Sequence, residues 1–334
     1  MSSPHIRQSD ASVQRIMLHV LLALAPGIAA YVWKVGAGIL VNLAIASATA
    51  LIAEALVLRL RKRPIAITVS DGSALVTAWL IALALPSIVP WWLTMIAALV
   101  AIAGAKHLYG GIGQNPFNPA MIAYCTAIVA YPALMSQWPA IGNTDFATQL
   151  QLILGGSREI DGITGATALD AMRTGLRNHA EVHAILASNA FGLAGGRGWE
   201  WIAAGYLAGG VFLLATRIID WRLPFGFIVG MGVTAGIFWL IAPERFPSPL
   251  FHLASGGAML AAFFIVTDPV TSASTPRGKL IFAAGIGVIA WFVRTFGAYP
   301  EGIAFGVLLM NICVPLIDRN TQPPVFGLRK ETPP

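Results

Sequence analysis

Three short stretches of the 334-residue chain carry side chains suited to chemistry. The first is Asp161-Gly162-Ile163-Thr164-Gly165-Ala166-Thr167-Ala168-Leu169-Asp170. Asp161-Gly162 reads as a turn, and Thr164 as the cap of a short helix through Ala168 to Met172, since Thr caps well and Ala, Leu and Met favour helix. Capping does not explain the small residues around Thr167, which leave its hydroxyl open to another molecule. The second is Gly113-Gln114-Asn115-Pro116-Phe117-Asn118-Pro119-Ala120, with two carboxamides three residues apart at a helix entrance. A carboxamide both donates and accepts, matching the alternating carbonyls and N–H of a flavin's imide edge, and a helix N-terminus favours negative charge on a reduced ring. Capping a helix would account for the same asparagines. The third is Thr267-Asp268-Pro269-Val270-Thr271, a carboxylate beside two hydroxyls and a proline break. It suits an ion or proton path, and equally a carboxylate that faces water or caps a turn. Glu54 reads as a carboxylate snorkelling from an apolar segment or pairing with Arg59. Glu301 suits the positive end of a helix dipole. Cys125 and Cys313 have no Cys or His cluster nearby, so neither a disulfide framework nor a metal site is expected.

The elements that must hold these stretches are apolar. Hydrophobic residues make up 57% of the chain and charged residues 11%, against roughly 25% charged in ordinary soluble domains. A bilayer core about 30 Å thick takes around 20 apolar residues per helix. Ten segments fit, at about 16–35, 37–58, 72–89, 91–109, 118–138, 199–216, 223–242, 250–267, 279–296 and 301–318. Tryptophans at their ends, among them Trp33, Trp91, Trp92, Trp138, Trp199 and Trp221, suit the interfacial belt. Pro26 interrupts the first run, and no small-residue cleavage site follows it, so the run is read as a retained helix.

The net charge of +6 follows topology and not nucleic acid. With a cytoplasmic N-terminus, the inner loops hold fourteen of the 21 Lys and Arg, and the short outer loops hold only Lys34, Arg245 and Arg294. Both termini are then cytoplasmic and the polar segment 139–198 is periplasmic. Gly72 and Gly256 lie 184 residues apart, as do Gly113 and Gly297, each of the latter opening a Gly-x-x-Pro. Five spans per unit would turn the second copy upside down, the inverted-repeat plan of many transporters. The expected fold is an all-α polytopic membrane protein with ten transmembrane helices in two inverted five-helix repeats. Its parts are a cytoplasmic segment 1–15, a first repeat 16–138, the periplasmic loop 139–198, a second repeat 199–318 and a cytoplasmic tail 319–334. The Gly/Pro stretches 110–120 and 296–302 open helices, where freed backbone groups must be satisfied by protein or a cavity.

Asp161-Gly162-Ile163-Thr164-Gly165-Ala166-Thr167 resembles the D-G-x-[ST]-G-A-[ST] sequence that carries FMN through a phosphoester in the RnfD and NqrB families. These are membrane subunits of the Rnf electron-transport complex and of the sodium-pumping NADH:quinone reductase. The likeness covers nearly the whole chain, through Gly113, Asn115, Asn118, Pro119 and Ala120, the Thr-Asp-Pro-Val of 267–270 and the Tyr-Pro-Glu-Gly of 299–302.

The resemblance implies FMN esterified to Thr167, with Asp161, Gly162, Thr164, Gly165 and Ala166 read by a flavin transferase. In that reaction the threonine hydroxyl attacks the FMN phosphorus of FAD and displaces AMP, with activation supplied by the transferase. It also implies noncovalent riboflavin near Asn115 and Asn118, and, more distantly, Asp268 with Thr267 and Thr271 on a coupling path for Na⁺ or H⁺. The short N-terminus points to the Rnf-type subunit, in a ferredoxin:NAD oxidoreductase with subunits of G, A, E, B and C type as partners. A secondary transporter or channel, an NqrB-like quinone-reductase subunit and a purely structural membrane subunit are the competing readings.

Overall fold

In a computed structural model of the chain, residues 4–142, 145–155 and 162–322 are described. The first half runs α1 (Pro4–Lys34), α2 (Gly38–Leu60), α3 (Ile65–Val69), α4 (Ser73–Ala84) and α5 (Trp91–Leu99). The last of these continues into a π-helix, π1 (Val100–His107), and α6 (Pro119–Ala130) follows. Short helices α7 (Pro132–Met135), α8 (Phe146–Leu154), α9 (Ala168–Arg177) and α10 (Val182–Leu186) belong to the polar segment. The second half holds α11 (Trp199–Ala215), α12 (Arg222–Ile241), α13 (Pro249–Ala254) and α14 (Ala258–Leu260). A second π-helix, π2 (Ala261–Ile265), extends α14 and is followed by α15 (Pro276–Phe296) and α16 (Ile303–Thr321).

The chain is a multi-pass, all-helical membrane protein among its described residues, with isolated bridges at Pro139–Thr164 and Phe191–Gly196. Five helices are long and apolar enough to cross a bilayer: 13–34, 38–60, 222–241, 276–296 and 303–321. The other five expected segments come out shorter or broken. Residues 73–84, 91–107, 119–130 and 199–215 form apolar helices of 10–17 residues. The fifth segment stops at Ala130, well before 138, because Tyr131 leaves helical geometry (φ −133°, ψ 55°) and Pro132 supplies no N–H. The eighth is cut at Ser255–Gly257, where Ser255 is extended and Gly256 is left-handed at φ +61°. Both Gly/Pro stretches do open helices: Asn118 and Pro119 start α6, and Gly302 precedes α16.

Helix starts at 38, 65 and 119 recur at 222, 249 and 303, the same spacing that separates Gly72 and Gly256. Both of those glycines are left-handed. Outward faces carry Leu22, Ile52, Leu56, Leu240 and Ile241, all more than half exposed, as helices facing lipid do. Inside, small residues let backbones approach, the usual device of helix crossings in membranes. A side chain on Gly209 of α11 would collide with the Ala23 carbonyl of α1, and one on Gly230 of α12 with the Ala284 carbonyl of α15.

The polar segment docks onto this scaffold through its backbone. Ala140 N–H donates to Ile163 O at 2.8 Å and Gly165 N–H to Trp138 O at 3.0 Å, which pins the turn before Thr167 against the end of the first half. A small second core of Leu169, Met172, Val182, Ile185, Phe191 and Phe251 holds α9 to α10 and α13.

Candidate functional site

Thr167, and not Thr164, is the N-cap of the helix in the motif, α9. Its Oγ1 accepts from Asp170 N–H at 3.2 Å and donates to the Asp170 carboxylate at 2.8 Å. The capping turn therefore begins three residues later than expected, because Thr164 is held in the bridge to Pro139. Gly162, Gly165 and Ala166 are exposed, Thr164 and Thr167 half-buried. Asp161 lies outside the described residues.

Thr167 lines a cavity of about 350 Å³ between the two halves of the molecule, within the roughly 300–1,000 Å³ typical of small-molecule sites. Helices of both halves wall it, with Tyr31 of α1, Tyr124 of α6 and Trp199 and Tyr206 of α11 among its aromatic lining. Trp138 and Trp199, expected at the interfacial belt, also line it and pack edge to face with ring centroids 5.4 Å apart. From Thr167 the cavity reaches Met121 and Ile265. Those residues stand three positions from Asn118 and Asp268. Arg173 lines the cavity and ties α9 to the second half, donating from Nη2 to Gly297 O at 3.1 Å. Burial and repulsion from Arg177 lower its pKa.

The Ser255–Gly257 break also opens on the cavity. Arg294, 5% exposed, binds both oxygens of Glu301 at 3.0 and 2.8 Å and donates to the carbonyls of His252 and Ser255 at 2.6 and 3.4 Å. Glu301 in turn accepts from the Gly257 and Gly302 N–H groups at 3.1 and 3.0 Å. The expected helix-dipole contact of Glu301 is thus joined by a buried guanidinium that balances its charge. Another lining residue, Ser255 (1% exposed), bears a hydroxyl without a hydrogen-bond partner among the described residues, and the Tyr31 hydroxyl lies against Ser87.

Near the cavity's other reach, the tertiary fold unites residues that the sequence separates by 150 positions. Asn118 Nδ2 donates to Asp268 Oδ2 at 3.2 Å, while its Oδ1 caps α6 by accepting from Met121 N–H at 3.2 Å. Thr271 Oγ1 donates to the same carboxylate oxygen at 3.0 Å, and Val270 N–H to the other at 3.0 Å. Thr267 turns away to Phe263 O at 2.8 Å. Asn115 closes a local turn onto Phe117 O at 3.0 Å. Asn311 completes the group, accepting from Asn118 N–H at 3.2 Å and donating to Thr271 O at 2.9 Å. Sequence reasoning passed over Asn311, although a carboxamide inside an apolar span is itself a signal.

Glu54 departs from expectation. It is fully buried and paired with Lys106 Nζ at 2.6 Å and His107 Nε2 at 3.0 Å, not with Arg59. Lys106 also donates to Ser73 Oγ at 2.7 Å. Both basic residues lie in π1, a helix form that often marks functional positions.

The residues at the cavity fit a tethered flavin. A hydroxyl at a helix N-terminus suits a phosphoester, and aromatic walls suit a planar ring. Known proteins resemble the chain over nearly its whole length. Residues 1–327 match the NQR2, RnfD, RnfE family. The chain is 46% identical over 346 residues to the D-type subunit of the ion-translocating oxidoreductase complex of Erwinia tasmaniensis, covering 98% of each chain. It is 45% identical, with the same coverage, to the proteins of the same description from Escherichia coli.

Proposed function

The chain belongs to the NQR2, RnfD, RnfE family, and from that premise we propose that it is the D-type component of a redox-driven, Rnf-type ion-translocating oxidoreductase, an electron carrier with FMN esterified to Thr167. Riboflavin binds noncovalently near Asn115 and Asn118, and Asp268 contributes to the path of Na⁺ or H⁺. In this reading ten transmembrane segments form two inverted repeats, with both termini in the cytoplasm and the 139–198 loop in the periplasm of a bacterial inner membrane. The partners are the other membrane and peripheral subunits of the complex, a flavin transferase for maturation, and lipid.

The observation that carries this reading is the lining of the cavity. It includes Thr167 and also Met121 and Ile265, which stand three positions from Asn118 and Asp268. Between Asn118 and Ile128, which lines the cavity, α6 rises about 15 Å at 1.5 Å per residue. That rise is about half of a bilayer core about 30 Å thick. Flavins supply, when bound, the one- and two-electron chemistry that no side chain here offers. The chain's own residues do the holding: the start of α9 offers backbone N–H groups and Arg173 adds a cation on the same lining, partly offset by the Asp170 carboxylate, which accepts from Thr167 Oγ1 at 2.8 Å. In the Asn118–Asp268 cluster both polar groups of the Asn118 side chain are engaged, so riboflavin there exchanges one of these bonds for its own.

Protein matured with its transferase, denatured and viewed under ultraviolet light in a gel is expected to fluoresce yellow-green, with FMN on the Thr167 peptide by mass spectrometry. Thr167→Ser is expected to keep the label and Thr167→Ala to lose it. A dark wild-type band would remove the electron-carrier reading.

A further inference from the structure

The end of α2 and the end of π1 meet in an open, positively charged recess that the flavin reading leaves unused. It is lined by Arg61, Arg63, Leu108, Tyr109 and Gly110 and holds about 490 Å³. The turn that builds it is local. Arg63 N–H donates to Leu58 O at 2.9 Å and Lys62 N–H to Arg59 O at 3.1 Å, the paired bonds that close a helix end. Lys62 is left-handed at φ +55°, a conformation that ordinarily favours glycine, and the turn so formed puts Arg61 and Arg63 into one wall. Across the recess, Arg63 Nη1 donates to Gly110 O at 3.1 Å, which fixes the guanidinium against the loop after π1. Arg61, Arg63 and Tyr109 are all exposed, so their polar groups have open surface. Among the described residues, no ion pair joins either arginine to a carboxylate. The acids on this stretch of chain are engaged elsewhere, Glu54 with Lys106 and His107, and Asp71 with Ser73. Topology asks only that cations gather in such a loop. It does not require two of them to share a recess with a phenol, one pinned to a backbone carbonyl. Nor does the fold: in the connection 184 residues on, between α12 and α13, Phe246 packs against Phe238 and Trp291 instead.

We propose that this recess binds the phosphate of an anionic phospholipid, with the Arg61 and Arg63 guanidinium groups pairing its oxygens and the Tyr109 hydroxyl donating beside them. A planar guanidinium presents parallel donors to phosphate oxygens, which an ammonium cannot. Leu108, in the lining, and Leu60, next to Arg61 in the chain, are 72% and 83% exposed. Acyl chains therefore lie on apolar surface while the headgroup meets the cations. A zwitterionic lipid offers the same phosphate but brings a cation that the two arginines repel, so the recess selects net negative headgroups. The site is separate from Thr167 and from the Asn118–Asp268 cluster, and it depends on neither.

The test labels the whole complex, isolated from membranes in detergent, with a photoreactive phosphatidylglycerol and maps the product on this chain by peptide mass spectrometry. Label is expected on the peptides holding 61–63 or 108–110. Unlabelled phosphatidylglycerol should compete for it, and phosphatidylcholine and inorganic phosphate at equal concentration should not. Arg61→Gln and Arg63→Gln are each expected to raise the half-saturating lipid concentration roughly fivefold. Lys62→Gln removes the same charge from the same turn but lies outside the lining, and should keep the wild-type value. An equal shift in all three variants overturns the site, since charge alone then attracts lipid, and so does a shift in none. Equal competition by phosphatidylcholine overturns selection by charge, and competition by inorganic phosphate overturns the lipid as source. Arginine variants that keep the label but shed another subunit overturn the proposal in favour of an acidic protein face. Should a variant fail to assemble, the wild-type map decides, and label absent from both peptides sinks the proposal.

Discussion

Thr167 caps α9 through Oγ1, the same oxygen that the proposed FMN attachment would use. Replacement by Ala should therefore lower stability by about 1 kcal/mol through the lost cap besides removing the label. Ser preserves both, and thermal melts in detergent beside flavin counts separate the two effects. Glu54 is the other residue whose surroundings decide its meaning. A buried carboxylate paired with Lys106 and His107 cannot lose its ammonium cheaply. Lys106→Met is expected to destabilise by about 3–5 kcal/mol, read as a lowered melting temperature. Combining it with Glu54→Gln should recover much of the loss. If the single variant melts like the wild type, the pair does not carry the charge balance of the first half.

Among the elements, close helix crossings and interrupted spans matter most. Gly209 lets α11 lie against the α1 backbone at Ala23. Gly209→Leu is expected to force these helices apart, at a cost of about 1–3 kcal/mol or more. Because α1 and α11 both wall the cavity, it should also raise solvent access to the flavin, measurable as faster quenching of its fluorescence by a water-soluble quencher. Asn311 joins α16 to the start of α6 and to the turn after π2. Asn311→Leu leaves the Asn118 N–H and the Thr271 carbonyl unpaired, about 1–3 kcal/mol each when buried. Extractable riboflavin should fall while covalent FMN is retained. Loss of both flavins together would instead indicate general unfolding.

For the molecule as a whole, the central fact is a cavity lined by both halves, with Thr167 in its wall. An inventory of the purified complex is expected to give one covalent and one extractable flavin for each copy of this chain, and a single species would contradict the two-site arrangement. Much of this was legible beforehand. Composition fixed the apolar, helical class, because lipid leaves backbone groups no partner but their own helix. Paired glycines and prolines announced the helix openings at Pro119 and Ile303. Sequence missed the shortening of α6 and the cut at Ser255–Gly257, since hydropathy counts apolar residues and is blind to backbone conformation. It also misread Glu54 and passed over Asn311. The partners of Glu54 lie 52 and 53 residues away, and no local pattern encodes which helix face meets which. Residue types and local spacing determined what chemistry the chain can carry. Only packing decided which hydroxyls stay unpaired and which charges meet, because burial and hydrogen bonding arise between segments far apart in sequence.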